Sequence, residues 1–482
     1  MTAIETGTTT RHDLPALIGG AEVWGERRVD VRSPYTGAVV GSVPRLGRAE
    51  VTAVLDAAAG TTFDLSRHER ATILNGIADR LRAEEDGFAR LITAEAGLCL
   101  KDTTYELRRA QDVFRFAAGE ALRDDGQVFA CDTSANGKRR RAYTLREPLG
   151  LVAAITPFNH PLNQVAHKIA PAIAVNTPMV LKPSSQTPLS ALRLARIMHE
   201  AGLPPGLVTI VTAGSTDLGS LLWAHPAVEL VSFTGSTAVG RLIASELGYR
   251  RAVLELGGND PLLVLRDADL DEAVRLAVAG AFKNSGQRCT AVKRIIVEEP
   301  VADAFAAALT TATARLVVGD PADPATDIGT VISEGEAVEF ERRMGAAIDA
   351  GATLLYGGER RGAQIAPAVL DHVRPDMELV AEETFGPFAP ILRVRDLDAA
   401  IRVANATPYG LSSGVVTNDL RSINRCVREL RCGSVNIREV PGYRTELTPF
   451  GGTKASGLGV KEGVIEAMRA MTFTKLYSLP WD

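Results

Sequence analysis

From Gly150 onward the chain alternates short apolar runs with segments of helical periodicity. LVAAITPF is followed by NQVAHKIAPAIAVN, TPMVLKPS by LSALRLARIMHEAG, LVTIVTA by STDLGSLLWAH, and VELVSFTG by STAVGRLIASELG. Each apolar run has strand length and is followed by a segment long enough to cross back over the sheet. Such alternation builds parallel strands with helices on both faces, a doubly wound α/β sheet. In that architecture ligands bind at the carboxyl ends of the strands. A second α/β run begins at RAVLELGGNDPLLVL, passes through DLDEAVRLAVAGAFKNSG, and continues to HVRPDMELVAEETFGPFAPILRV and SSGVVTN.

Ahead of this region, residues 66–122 read as helices, with apolar positions at helical spacing and a glycine stop at Gly97. DGQVFACDTSANGKRRRAYTLREPLG then switches to short, turn-punctuated strands, a projecting hairpin or arm. Self-similarity at a period of about 20–50 residues is absent, which excludes a solenoid. At 482 residues the chain is too long for one core and implies roughly two or three domains.

A net charge of −5 gives no reason to expect nucleic acid or an anionic membrane as partner. No apolar run reaches the ~18 residues of a membrane-spanning helix. The opening MTAIETGTTTRHDLPALIGG lacks an apolar signal core and reads as a loose or strand-forming arm. The five cysteines form no CxxC pair and the seven histidines no HxxxH pair. A reduced cytoplasmic protein without a metal site is the expectation.

Several side chains stand where such a fold does chemistry. In VSFTGSTAVG, Gly235 and Gly240 flank a strand-to-helix turn with Ser236 as N-cap, a place for a phosphate or only for turning the chain. Lys182 ends the strand MVLK, within reach of a ligand's hydroxyls or simply exposed. Asn159 and His160 follow ITPF; an amide there can donate to a developing oxyanion or serve an ordinary turn. Glu255 in VLELGG is a carboxylate inside an apolar strand, where burial raises the pKa towards that of a general base. If its face is solvent, it is merely polar. Cys289 follows Arg288 in NSGQRCTAVKR; a neighbouring cation favours the thiolate, although a lone cysteine is more often structural.

Taken together, ITPFNHP, LKPSSQTP, FTGST, LELGG, NSGQRCT, EETFGPF and PFGGTKASGLG resemble the aldehyde dehydrogenase superfamily, in family order over residues 20 to 482. The resemblance implies that fold: a Rossmann-like doubly wound cofactor domain (1–122 and 146–256), an α/β catalytic domain (257–467), and a small oligomerisation arm (123–145 and 468–482). It implies Cys289 as nucleophile, Glu255 as the base that activates water, and Asn159 as oxyanion donor with the Cys289 backbone N–H. Hydride passes from a thiohemiacetal to nicotinamide, and the thioester is hydrolysed; Glu255 favours hydrolysis over transfer to coenzyme A. Lys182 is implied at the adenosine ribose, Gly235 and Ser236 at the pyrophosphate, and Glu383 with Phe385 at the nicotinamide ribose. The Phe158 backbone is implied near the nicotinamide, and Thr156 among the other cofactor contacts. Where strict NAD users often carry glutamate, this chain has Ser185, which removes the repulsion of a 2′-phosphate. Lys182 can pair with that phosphate, so NADP is expected to be accepted alongside NAD.

Within the superfamily, ITPFNHPLNQVAHKIAP, VLELGGNDP, KNSGQRCTAVKR and NIREVPGYRTELTPFGG most resemble phosphonoacetaldehyde dehydrogenases, as does the closing EGVIEAMRAMTFTKLYSLPW. At the positions that the resemblance implies for the substrate tunnel, this chain reads Arg109 (with its neighbour Arg108), His160, Arg288, Thr290 and Arg444. Converging cations suit a dianionic phosphonate, because guanidinium forks match its oxygens. Asn259 stands where lysine is frequent, with no role attached. The expected substrate is phosphonoacetaldehyde or phosphonoformaldehyde. The alternatives are glyceraldehyde 3-phosphate without phosphorylation, succinate semialdehyde, a coenzyme A-acylating reaction, or a catalytically silent binding protein. The implied assembly is a homodimer or homotetramer.

Overall fold

The structure is a computed structural model that describes residues 11–123, 125–214, 216–459 and 462–481, with only the backbone at 216 and 217. The first ten residues of the N-terminal arm lie outside the described residues; from His12 the arm forms strands. His12–Asp13 pairs in parallel with Val39–Pro44, against which Arg28–Arg32 runs antiparallel.

The alternating segment beginning at Gly150 forms a five-stranded, wholly parallel sheet in the order Val208–Ile210, Met179–Lys182, Val152–Ile155, Leu230–Thr234, Arg251–Glu255. In chain order this is 3-2-1-4-5, so the direction of winding reverses between Val152–Ile155 and Leu230–Thr234. Their loops diverge to opposite faces and leave a crevice at their carboxyl ends. Thr156 to Asn159 leave one of these strands, and Gly235 and Ser236 the other.

The second α/β run forms a seven-stranded sheet ordered 353–356, 368–371, 388–394, 292–298, 260–264, 412–416, 434–437. All neighbours are parallel except the antiparallel edge strand Thr353–Tyr356. Strands buried on both faces lose the alternation of a half-exposed sheet. Val292–Glu298 accordingly reads VKRIIVE with every residue buried, two of them cations.

The region 66–122 is helical, but the first long helical run is two helices, Arg67–Ala83 and Glu85–Ala96, broken at Glu84. Leu100–Ala121 starts earlier than its apolar spacing suggests, and Phe88 and Phe114 pack fully buried between these helices and the sheet. In the arm, Arg140–Pro148 pairs antiparallel with Thr472–Pro480 and with Val128–Ala130.

Candidate active site

The crevice holds a cavity of about 450 Å³, and twelve of the residues singled out from the sequence line it. They are Thr156, Phe158, Asn159, His160, Lys182, Ser185, Gly235, Ser236, Glu255, Cys289, Glu383 and Phe385. The cavity lies at the winding reversal, and Cys289 reaches it from the second sheet, three residues ahead of strand Val292–Glu298.

The loop bearing Cys289 is fixed by its backbone. Asn284, Ser285 and Gly286 successively adopt left-handed conformations, with φ of 62°, 52° and 72°. A Cβ on Gly286 would lie 1.9 Å from the carbonyl oxygen of Gly386, so only glycine fits. Two strained non-glycine residues in succession need firm anchoring. The Asn284 N–H donates to Asp102 at 2.7 Å and its side-chain amide to the Asn159 carbonyl at 2.9 Å. Gln287 accepts from the Ile332 N–H at 2.8 Å. Asn159, 6% exposed, donates through Nδ2 to the Gln287 carbonyl at 2.8 Å. A side-chain amide has two N–H donors, so this bond orients the group and uses one of them.

Burial pushes the Cys289 thiol up to about 11; Lys293 and Arg444 pull it down, while Asp260 and Glu383 push it further up. The cations that favour the thiolate are therefore Lys293 and Arg444, and Arg288 is a lesser influence than its position in the sequence suggests. Arg288 instead turns back, donating to the carbonyls of Ala279 and Gly280 at 3.1 and 2.7 Å, where it caps the end of the Leu270–Phe282 helix. Glu255 ends its strand, is 3% exposed, and faces the same cavity as Cys289.

The cofactor half of the cavity has the features of a ligand cradle. Ser236 caps the ten-residue helix Thr237–Glu246, accepting from the Val239 N–H at 3.4 Å, and leaves the first-turn N–H groups facing the crevice. A Cβ on Gly235 would lie 2.5 Å from the tip of the Phe233 ring, which would have to shift to admit it. The hydroxyls of Thr156 and Thr234 are buried in the wall without a protein partner. Buried hydroxyls are normally satisfied, so these two await a ligand or water. Lys182 bonds weakly to the Pro183 carbonyl at 3.5 Å, and burial lowers its pKa. These residues fit a dinucleotide. Glu383 lines the cavity and is held through one carboxylate oxygen, Oε1, which accepts from Lys293 Nζ at 2.7 Å and the Gly258 N–H at 2.8 Å.

The anion-binding positions divide. Arg108 stands apart from the site, its side chain 66% exposed and paired with Glu85 at 2.8 Å, because it lies a helical step round from Arg109. Arg109 and Arg444 both approach one buried carboxylate, Glu446, by a short hydrogen bond from Arg109 and at 3.9 Å from Arg444. His167 bonds the same carboxylate. Burial holds His160 below its usual pKa despite Glu106 at 3.8 Å, so it is neutral at pH 7 and does not add to the cations. Thr290 is buried against Gly442, and of the six positions only His160 lines the cavity itself; Arg108, Arg109, Arg288, Thr290 and Arg444 do not.

Sequence reasoning missed Glu446, Lys293, Lys283 and Arg343. Glu446 and Lys293 are signalled only as charges within otherwise apolar or glycine-rich runs. Arg343, which donates to the Glu383 carbonyl at 3.1 Å, lies in a helix that reads as an ordinary surface helix. Among the described residues, no helix is long and apolar enough to cross a membrane, and no group of histidine, cysteine or acidic side chains is arranged to hold a metal.

Comparison with known proteins agrees with this geometry. Residues 23–477 match the aldehyde dehydrogenase family. The 3-sulfolactaldehyde dehydrogenase of Priestia aryabhattai is 38% identical over 86% of this chain and 87% of its own. The sulfoacetaldehyde dehydrogenase of Neptuniibacter caesariensis is 38% identical over 84% and 89%. The crystal structure of NADP-dependent glyceraldehyde-3-phosphate dehydrogenase from Bacillus halodurans C-125 complexed with NADP superposes with a TM-score of 0.95, at 35% identity, covering 98% of this chain and 100% of that one. The chain belongs to the aldehyde dehydrogenase family and is an NAD(P)-dependent oxidoreductase acting on aldehydes.

Proposed function

We propose that the enzyme oxidises a small aldehyde bearing an anionic head group to the carboxylic acid, with phosphonoacetaldehyde the first choice and phosphonoformaldehyde next. The carrying observation is a gathering of cations: Arg109 and Arg444 converge on Glu446, the field of Arg109 reaches Arg288, and that of Arg444 reaches Cys289. Guanidinium groups in a partly dry site recognise phosphonate or phosphate oxygens through paired hydrogen bonds.

In this reading the Cys289 thiolate attacks the aldehyde carbon. The oxyanion is met by the second Asn159 amide N–H and the Cys289 backbone N–H, already aimed by the Asn159–Gln287 bond. A bound nicotinamide supplies the hydride acceptor. Glu255 removes a proton from the water that attacks the Cys289 thioester, releasing the acid and regenerating the thiol. Lys182, Ser184 and Ser185 line the part of the cavity assigned to the adenosine ribose. Serine at 185 repels no 2′-phosphate, so NADP is accepted as well as NAD. The division into 1–122 with 146–256, 257–467, and 123–145 with 468–482 remains the proposed domain plan. In its arm, the exposed Leu476, Tyr477, Leu479 and Trp481 support a dimer or a dimer of dimers.

A second reading, a sulfonate-bearing aldehyde, is favoured by Glu446. One carboxylate shared by Arg109 and Arg444 removes a unit of positive charge, which suits a monoanion better than a dianion. The names of the two sulfonate-aldehyde relatives point the same way. The deciding experiment is steady-state kinetics with phosphonoacetaldehyde, sulfoacetaldehyde, glyceraldehyde 3-phosphate and succinate semialdehyde, each with NAD and NADP. A greater kcat/KM for succinate semialdehyde than for any phosphorylated or phosphonylated aldehyde would overturn the phosphonate assignment.

A further inference from the structure

Lys283 sits at the turn where the Leu270–Phe282 helix ends, six residues before Cys289. Its ammonium lies 3.2 Å from the centroid of the Tyr105 ring, and the Arg109 guanidinium carbon lies 5.8 Å from the same ring. Lys283 and Arg109 thus share the half-exposed Tyr105 ring, and the fields of Arg109 and Arg288 reach His160, which lines the cavity with Cys289.

The charges of this region are unevenly compensated. Arg109 and Arg444 share Glu446, whereas Arg288 is satisfied by two carbonyls and its Nε is buried without a partner. Among the described residues no carboxylate lies within ion-pair distance of Lys283. Asp102 is the carboxylate whose field reaches it, and the Asn284 N–H already occupies one Asp102 oxygen at 2.7 Å. Burial, with Arg288 and Arg109 adding repulsion, presses the Lys283 pKa down to about 8. Like charges gathered in a partly desolvated place cost stability unless an anion joins them.

We propose that Lys283 is a specificity-determining residue that contacts the substrate's anionic head and supplies the extra charge that favours a dianion over a monoanion. The inference rests on the anionic-aldehyde reading above and deepens it. It also answers the difficulty raised by Glu446, because Lys283 returns the unit of positive charge that Glu446 removes.

The test uses the full-length enzyme with its nucleotide and the substitutions Lys283→Met and Lys283→Arg, each assayed with phosphonoacetaldehyde, sulfoacetaldehyde and propanal. A charge-assisted hydrogen bond is strong enough that losing it raises KM on the order of tenfold. Lys283→Met is expected to lower the phosphonoacetaldehyde-to-propanal ratio of kcat/KM about tenfold, mainly through KM. The sulfoacetaldehyde-to-propanal ratio should fall about threefold, and Lys283→Arg should restore most of both. If Lys283→Met does not fold, Lys283→Gln replaces it. Wild-type preference for the anionic aldehydes with ratios unchanged in the variant overturns the role of Lys283 alone. Wild-type preference for propanal overturns both this role and the anionic reading.

Discussion

Replacing Glu446 by glutamine tests how the arginines behind the thiol are held. Glu446 is 4% exposed and touches Arg109, His167 and Arg444. Burial alone would raise its pKa, but the His167 bond and the fields of His167, Arg109 and Arg444 outweigh it and hold the carboxyl far below its usual range. A depressed carboxylate contributes stability above its unfolded pKa and loses it only as pH falls through the folded value, so at pH 7 the contribution is complete. Glutamine keeps the shape and one acceptor but leaves two arginines, 20% and 9% exposed, without their counter-charge. Breaking a buried pair from one side costs about 3–5 kcal/mol, and the partial exposure of Arg109 argues for the lower end. For a chain of 482 residues, an unfolding entropy of about 1 kcal/mol per kelvin turns about 3 kcal/mol into a Tm loss of roughly 3 °C. Calorimetry at pH 7, with and without inorganic phosphate, is the assay. The variant should melt lower and recover part of the loss in phosphate, because the anion replaces the missing charge. A Tm within about 1 °C of wild type, or equal phosphate stabilisation of both proteins, would refute the shared-carboxylate argument.

Other perturbations follow from the same geometry. Ser185→Glu should lower kcat/KM with NADP at least about tenfold and with NAD far less; an unchanged cofactor ratio would place the 2′-phosphate elsewhere. Arg108→Ala should change kcat/KM for anionic aldehydes less than about twofold, because its Glu85 pair is a surface one, whereas Arg109→Met should lose about tenfold or more. Equal losses would return Arg108 to the site. Lys283 carries its charge below about pH 8 and loses it above, so the anionic-to-neutral ratio of kcat/KM should decline as pH rises through that value. Thiolate formation affects both substrates alike and cancels in that ratio; a flat profile would contradict a titrating lysine at the rim. In the nucleotide-free enzyme, alkylation of Cys289 followed by peptide mapping should accelerate steadily up to about pH 11, and a rate already level at pH 8 would mean the thiolate is stabilised more than the burial of Cys289 indicates.

What could be read from the sequence was what is local or periodic. The strand–helix alternation implies a parallel, doubly wound sheet with its ligand at the carboxyl ends of the strands, while the 3-2-1-4-5 order and the reversal at Val152–Ile155 came only with the structure. Twelve of the residues chosen by motif line one cavity, because each sits at a strand end or turn whose position the alternation fixes. The N-terminal strands were less legible: His12–Asp13 and Ala16–Ile18 are too short to carry a period. Choosing between Arg108 and Arg109 needed the rotation of the Leu100–Ala121 helix against its neighbours, since adjacent helical residues differ by about 100°. Glu446 was illegible for another reason. Its hydrogen-bonded partners, Arg109 and His167, are 337 and 279 residues away in sequence, and Arg444 two positions before it reads alone as a free cation, so nothing local announces a charge hub.

Counting cations along the sequence therefore measures the wrong quantity. Arg109, Arg288 and Arg444 look equivalent as residues, yet two share Glu446 and the third is bound to the helix end at Ala279 and Gly280. Charge left without a carboxylate is offered to a substrate at less cost, because a paired arginine must first loosen an existing contact. By that measure the proposed role of Lys283, which opens KNSGQRCTAVKR without a role assigned to it there, predicts a larger contribution to selectivity among anionic aldehydes than that of Arg444. The Arg444 guanidinium, stacked 4.0 Å from the Phe450 ring centroid and close to Glu446, is the better fitted to set the field at Cys289. The two roles are separable. Arg444→Met should act mainly through kcat for every aldehyde, while loss of Lys283 acts through KM for anionic ones. A purely KM effect of Arg444→Met, confined to anionic substrates, would put Arg444 back in the head-group site.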